Sequence, residues 1–112
     1  MHTRLRGRKL AWDERGRGTP LVLLHSFPLD RRMWQDVADV ISHDAYVITP
    51  DFPGAGDSEG PASIEEYADD VALLLDHLHV DRAAVGGISM GGYAALAFAR
   101  RHPARLLGLL LA

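Results

Sequence analysis

The order of the apolar runs predicts an α/β fold, a mostly parallel sheet with helices on both faces. Three observations carry that expectation. Leu21-Val22-Leu23-Leu24 is a continuous apolar run of strand length, without the alternation of a half-exposed strand, and therefore reads as a strand buried on both faces. Ser63 and Glu66 form a capping-box signature ahead of the helical stripe Ile64, Tyr67, Ala68, Val71, Leu74, Leu75 and Leu78. Other short β-rich runs alternate with helical stretches, so that from Leu21 onward the chain reads βαβαβαβ in outline.

In chain order, Leu10-Ala11-Trp12 reads as a short strand, and the following stretch to Thr19, with Gly16, Gly18 and Pro20, as a tight turn. Together they predict a small leading hairpin. After the Leu21–Leu24 run, Trp34, Val37, Ala38 and Ile41 recur at helical spacing between Arg31 and Ser42, with Met33 beside that apolar face. Tyr46-Val47-Ile48-Thr49 is the next strand, ended by Pro50 and by the loop Asp51-Phe52-Pro53-Gly54-Ala55-Gly56, whose glycines and prolines disfavour a regular element. The capped helix from Ser63 follows. Ala83 to Gly87 is a third strand, Met90 to His102 a third helix ended by Pro103, and Leu106 to Leu111 a fourth strand containing Gly108.

With 112 residues the chain has room for one layered core, and 47% hydrophobic with 24% charged residues are ordinary globular values. Twelve Lys and Arg against 15 Asp and Glu give a formal charge of -3, without the basic field of a nucleic-acid binder. The chain has no cysteine, which excludes disulfides, thiolate nucleophiles and zinc sites built on sulfur. Arg4, Arg6, Arg8 and Lys9 near the start precede no apolar run of signal-peptide or membrane-span length; the expectation is a cytoplasmic protein without membrane association. The chain stops at Ala112 directly after its most apolar run, Leu106 to Leu111. A strand of that kind wants neighbours and a covering helix, so the expectation is a truncated domain whose exposed final strand can self-associate.

The sharpest motif is Gly87-Ile88-Ser89-Met90-Gly91, a G-x-S-x-G between a predicted strand and a predicted helix. In such a turn the chain reverses within a few residues, so small residues must flank the serine and its backbone is strained. Gly86, Gly87, Gly91 and Gly92 supply the room. The turn places Ser89 at a helix N-terminus, where free N–H groups can stabilise a developing oxyanion. The plainer alternative is an N-cap serine in a glycine-rich turn.

With Leu24-His25-Ser26-Phe27-Pro28 after the first buried strand and Asp51 to Ser58 after the second, the chain resembles the α/β-hydrolase superfamily over essentially its whole length. It is most similar to the small serine esterase, lactonase and perhydrolase-like group, and residues 1–112 would be the N-terminal portion of one such domain. The resemblance implies Ser89 as nucleophile, the backbone N–H groups of Phe27 and Met90 as oxyanion hole, His25 and Ser26 as the oxyanion loop, and no cofactor or metal. The family usually has glycine where this chain has Ser26, so a positive φ there would strain the loop. It also places the triad acid and histidine, in that order, beyond the last strand read here. Phe27, Leu29, Met90 and Tyr93 would line the visible pocket, suiting an apolar acyl or ring group in a small-molecule acyl substrate.

No local residue replaces the missing partners convincingly. His102 sits at the far end of the helix from Ser89, roughly 20 Å away at about 1.5 Å per residue. His25 is nearer but has its implied role in the loop; His77 and His79, with Asp76 and Asp81, are a weak metal-cluster pattern; His2 and His43 read as surface residues. Asp51, opening a Pro-Gly loop, reads as a cap for nearby N–H groups rather than a catalytic acid, and Asp57-Ser58 as loop closure. Asp69 and Asp70, adjacent in a helix, point to different faces.

Rival sites are poorly supported. Gly54-Ala55-Gly56 lacks the third glycine of a dinucleotide fingerprint, since Glu59 stands there. The only lysine is Lys9, so no phosphate loop exists, and Ser89 disfavours an aspartate nucleophile. Trp12, Trp34 and Tyr93 read as packing residues. Two readings follow: a serine hydrolase acting on an ester, lactone or similar acyl group through a Ser89 acyl-enzyme, or an inactive, self-associating hydrolase fragment.

Overall fold

The computed structural model describes residues 1–112. Six strands form one sheet in the order β1-β2-β4-β3-β5-β6, with β1 at His2–Leu5, β2 at Arg8–Arg15, β3 at Thr19–Leu24, β4 at Ala45–Pro50, β5 at Ala83–Gly87 and β6 at Leu106–Leu111. The β4-β3-β5-β6 portion is parallel, and β2 and β1 extend it antiparallel.

Three helices cover the two faces: α1 (Gln35–Ile41), α2 (Ile64–His77) and α3 (Met90–Arg101). Because side chains alternate along a strand, Val22 and Leu24 of β3 face the same buried cluster as Ile48, Val85, Val71, Leu74 and Phe98, under α2 and α3. Leu23 and Val47 point the other way, into a smaller cluster with Trp34 and Ala38 under α1. The unbroken apolar run Leu21–Leu24 thus has its cause in two covered faces. The capping box of α2 forms as its sequence indicates: Ser63 Oγ accepts from Glu66 N at 3.0 Å and Glu66 Oε1 accepts from Ser63 N at 3.1 Å.

Two expectations need correction. A leading hairpin exists, but it joins β1 to β2 through Arg6-Gly7, both at positive φ (52° and 78°), as a two-residue type I′ turn requires. The strands on either side of the Gly16–Pro20 turn are not partners, since β4 lies between them. Gly16 is needed there for close approach: a Cβ would overlap the Ala45 carbonyl oxygen. The helix expected from Arg31 to Ser42 is in two parts, a 3-10 turn at Arg31–Trp34 capped by Asp30 and then α1.

The hairpin turn is fastened to α2 by charge. Arg6 reaches Asp70 Oδ1 at 2.6 Å and Arg8 reaches Asp70 Oδ2 at 3.0 Å. Burial pushes the Asp70 carboxyl above the usual aspartate value, and the two guanidiniums oppose that shift. At the other edge of the sheet, β6 leaves Leu107, Leu110 and Leu111 exposed. No helix is long and apolar enough to cross a membrane.

Candidate active site

Ser89 stands between β5 and α3 with φ 57° and ψ -118°, a conformation that costs a non-glycine residue of order 1–3 kcal/mol. Its side chain caps nothing, so the plain N-cap reading does not hold. The residue is exposed. Two glycines make the reversal possible: a Cβ on Gly87 would overlap the Gly91 carbonyl, and a Cβ on Gly91 would overlap the Leu24 carbonyl oxygen. The N-terminus of α3 is therefore pressed directly on the end of β3.

Two main-chain donors near this turn are free. Met90 is the first residue of α3, so its N–H has no intrahelical acceptor, and neither it nor the Phe27 N–H is taken by a loop carbonyl or a side chain. Both residues border a cleft of about 300 Å³, whose other walls include Leu29, Phe52, Pro53 and Pro61. No Asp, Glu, Lys or Arg lines it. Ser89 borders an adjoining hollow of about 240 Å³ with Leu96, Leu111 and Tyr93. Tyr93 thus does not share the wall formed by Phe27, Leu29 and Met90; one helical turn after Ser89, it belongs to the neighbouring hollow.

The loop after β3 is held by His25, which is fully buried. Its Nε2 accepts from Phe52 N at 2.8 Å while Nδ1 lies 3.1 Å from the Ser26 carbonyl oxygen, so the imidazole carries its proton on Nδ1. Both nitrogens are engaged, which leaves no free lone pair for general-base work. Ser26 is not at positive φ, and the strain expected of a serine in place of glycine is absent.

The loop after β4 is organised by Asp51, also fully buried. Its carboxylate accepts from Arg31 N at 2.7 Å, from Asp57 N at 2.9 Å, and from the Arg31 guanidinium. A Cβ on Gly56 would overlap that carboxylate, which explains the glycine at φ 51°. Ser58 Oγ accepts from Ala11 N at 2.8 Å and donates to the Asp51 carbonyl at 3.0 Å. The capping and loop-closure roles expected of Asp51, Asp57 and Ser58 are what the structure contains. Burial works against the Arg31 charge, but the carboxylates of Asp51, Asp57 and Asp13 outweigh it and hold the guanidinium above its usual value. The same contact with Arg31 holds the Asp57 carboxyl below the usual range.

The remaining titratable candidates lie elsewhere. His102 Nε2 meets Asp69 Oδ1 at 2.7 Å, beside a two-pronged Arg101–Asp69 pair at 2.7 and 2.9 Å. Asp69 and Asp70 do serve different partners. His77 packs edge-on against Trp12 at 5.6 Å between ring centroids, and Arg105 takes Asp76 and the Asp81 carbonyl. No group of three or more His, Asp or Glu is arranged to hold a metal ion. Sequence reasoning missed Arg31, whose partners are far along the chain, and Met33, which accepts from Ser26.

The comparisons agree with this geometry. The chain is 43% identical to a thermophilic esterase from Thermogutta terrifontis, with a TM-score of 0.90 over 98% of this chain and 42% of the other. It is 38% identical to Est816, described as an N-acyl homoserine lactone degrading enzyme, with a TM-score of 0.95 over 99% of this chain and 44% of the other. Against the soluble epoxide hydrolase of Corynebacterium sp. (strain C12) it is 37% identical over 98 residues, which is 85% of this chain and 34% of that protein. The chain therefore spans well under half the length of these relatives. Residues 19–112 match the family described as alpha/beta hydrolase fold, and with the strained serine turn seated on a parallel sheet, the chain belongs to the α/β-hydrolase family.

Proposed function

We propose that this chain carries the nucleophile and the oxyanion hole of a serine hydrolase. Ser89 Oγ gives its proton to a histidine base as it adds to the carbonyl carbon of a carboxylic ester, lactone or similar acyl substrate. The carbonyl oxygen, now an anion, is received by the Phe27 and Met90 N–H groups. Collapse re-forms the carbonyl and breaks the C–O bond to the leaving oxygen, which takes the proton from the histidine as an alcohol, tethered to the acyl group in a lactone; water then hydrolyses the acyl group on Ser89. The acid and histidine that activate Ser89 come, in this reading, from residues that follow Ala112 in the complete protein.

The observation that supports it most is the pairing of a strained, uncapped Ser89 with two unclaimed main-chain donors bordering one cleft that no Asp, Glu, Lys or Arg lines. The relatives named as an esterase and a lactone degrading enzyme are consistent with an ester or lactone substrate. Replacing Ser89 with Ala in the complete protein is expected to lower turnover of a p-nitrophenyl ester by at least about a thousandfold. A fluorophosphonate probe should add its mass to the peptide containing Ser89. Unchanged turnover in Ser89→Ala overturns the proposal.

A second reading is favoured for the 112-residue chain in isolation. The imidazole of His25 is fully engaged, and a serine without a base is a poor nucleophile at neutral pH. The isolated chain is then an inactive fragment, and its exposed leucines on β6 supply a surface for self-association, which light scattering measures.

A further inference from the structure

The thioether of Met33 holds both polar donors of Ser26. Ser26 N–H donates to Met33 Sδ at 3.3 Å, and the Ser26 hydroxyl donates to the same sulfur at 3.7 Å. The Ser26 carbonyl in turn accepts from Leu29 N at 2.9 Å and from His25 Nδ1. The Ser26–Phe27 peptide is trans, so its C=O and N–H point in opposite directions. Ser26 is thus held at its carbonyl by Leu29 and His25 and at its N–H and hydroxyl by Met33, and the backbone angles that these bonds fix together aim the Phe27 N–H.

Met33 is itself well fixed. It is half-buried in the Arg31–Trp34 turn, packed against the cluster of Leu23, Trp34, Ala38 and Val47. That turn is anchored where Asp51 accepts the Arg31 N–H. A thioether is a weak acceptor, but here it is a stationary one that meets two donors of a single residue. Leucine would fill a similar volume and offer no acceptor.

We propose that Met33 is a positioning residue for the oxyanion hole, acting on the Phe27 N–H through Ser26. This rests on the reading of Ser89 as nucleophile and the Phe27 N–H as oxyanion donor. When the sulfur is removed, Ser26 loses the acceptor of its N–H and hydroxyl, and the peptide that carries the Phe27 N–H turns away from the cleft for part of the time. The substrate ground state depends little on that donor, whereas the tetrahedral intermediate depends on it strongly.

The test uses the complete protein with a p-nitrophenyl ester, comparing Met33→Leu, Met33→Gln and Ser89→Ala. Met33→Leu is expected to lower kcat about fivefold to tenfold with KM nearly unchanged, and to weaken inhibition by a boronic acid, which forms a tetrahedral adduct, by a similar factor. Amide hydrogen exchange at Ser26 should quicken. Met33→Gln, whose side-chain carbonyl can accept, should restore part of kcat. Wild-type kcat and boronate affinity in Met33→Leu overturn the proposal. So does a loss of kcat that follows a lowered thermal midpoint and is not restored by Met33→Gln, because that is the behaviour of a packing residue. If Ser89→Ala keeps its turnover, the nucleophile reading fails and takes this inference with it; if Ser89→Ala is inactive while Met33→Leu is unaffected, only this inference falls.

Discussion

His25 Nε2 accepts the Phe52 N–H at 2.8 Å, and through that bond the loop after β3 is tied to the loop after β4, the two walls of the cleft. His25→Ala would strand the Phe52 N–H and leave the Ser26 carbonyl with only the Leu29 N–H. Leaving a buried donor without a partner costs about 1–3 kcal/mol. The expected outcome is a loss of about 2–3 kcal/mol in urea unfolding of the complete protein, with a further fall in kcat. Wild-type stability in this variant would contradict the role assigned to the imidazole.

Ser89 offers a trade between stability and chemistry. Glycine adopts a positive φ without steric cost, and the Ser89 side chain caps no N–H whose loss would offset the gain. Ser89→Gly is expected to raise unfolding stability by about 1 kcal/mol while abolishing ester turnover. Ser89→Ala, which keeps the Cβ at φ 57°, should lose turnover without that gain. Differential scanning calorimetry of the two variants separates strain relief from simple loss of the hydroxyl.

Arg31 neutralises a carboxylate that has no access to solvent, since Asp51 is fully buried. Removing one partner of a buried pair costs about 3–5 kcal/mol, because the other charge is left unpaired. Arg31→Met should lose stability on that scale, and the double variant Arg31→Met with Asp51→Asn should recover part of it. A double-mutant cycle by chemical denaturation measures the coupling.

Asp69 predicts an acid-dependent contribution. Hydrogen bonds from Arg101 and then His102 lower its carboxyl to about 2. A depressed carboxylate contributes stability that is fully present above the unfolded value and is lost as pH falls through the folded one. Asp69→Asn should therefore be less stable than wild type by about 1 kcal/mol at pH 7, after discounting for its partial exposure. The gap should close between roughly pH 4 and pH 2. A gap that widens on acidification would show that another group dominates.

Much of the fold was legible because burial on two faces leaves a local mark. Leu21–Leu24 is an unbroken apolar run, in a strand of the parallel region with an apolar cluster on each face. The capping box named the start of α2 to the residue. β1 was not legible, because an edge strand made of His2, Thr3, Arg4 and Leu5 has little apolar content and owes its pairing to the Arg6-Gly7 turn. The turn at Gly16–Pro20 misled, because a tight turn alone does not say whether another strand enters between its arms.

At the site, Ser89 stands in the strained turn, and Met90, Phe27 and Leu29 border the cleft. Tyr93 lines the hollow beside Ser89, not the cleft bordered by Phe27, Leu29 and Met90. Arg31 gave no local signal. Its partners Asp13, Asp51 and Asp57 sit on separate segments and meet it only once the sheet has formed. Met33 was visible only as a residue beside an apolar helix face, and its contact with Ser26 depends on the 3-10 turn that replaces the first turn of that helix.

A Cβ on Gly91 would overlap the Leu24 and His25 carbonyl oxygens, so the serine turn and the loop after β3 meet main chain to main chain, with no side chain as a spacer. The separation of the Phe27 and Met90 amides is then set by that backbone contact and by the His25 and Met33 side chains that hold the loop, not by the side chains that face the cleft. The exposed side chains of Phe27 and Leu29 can be exchanged to alter what the cleft admits while that separation stays the same. Selectivity and the anion-binding geometry can therefore change independently of each other.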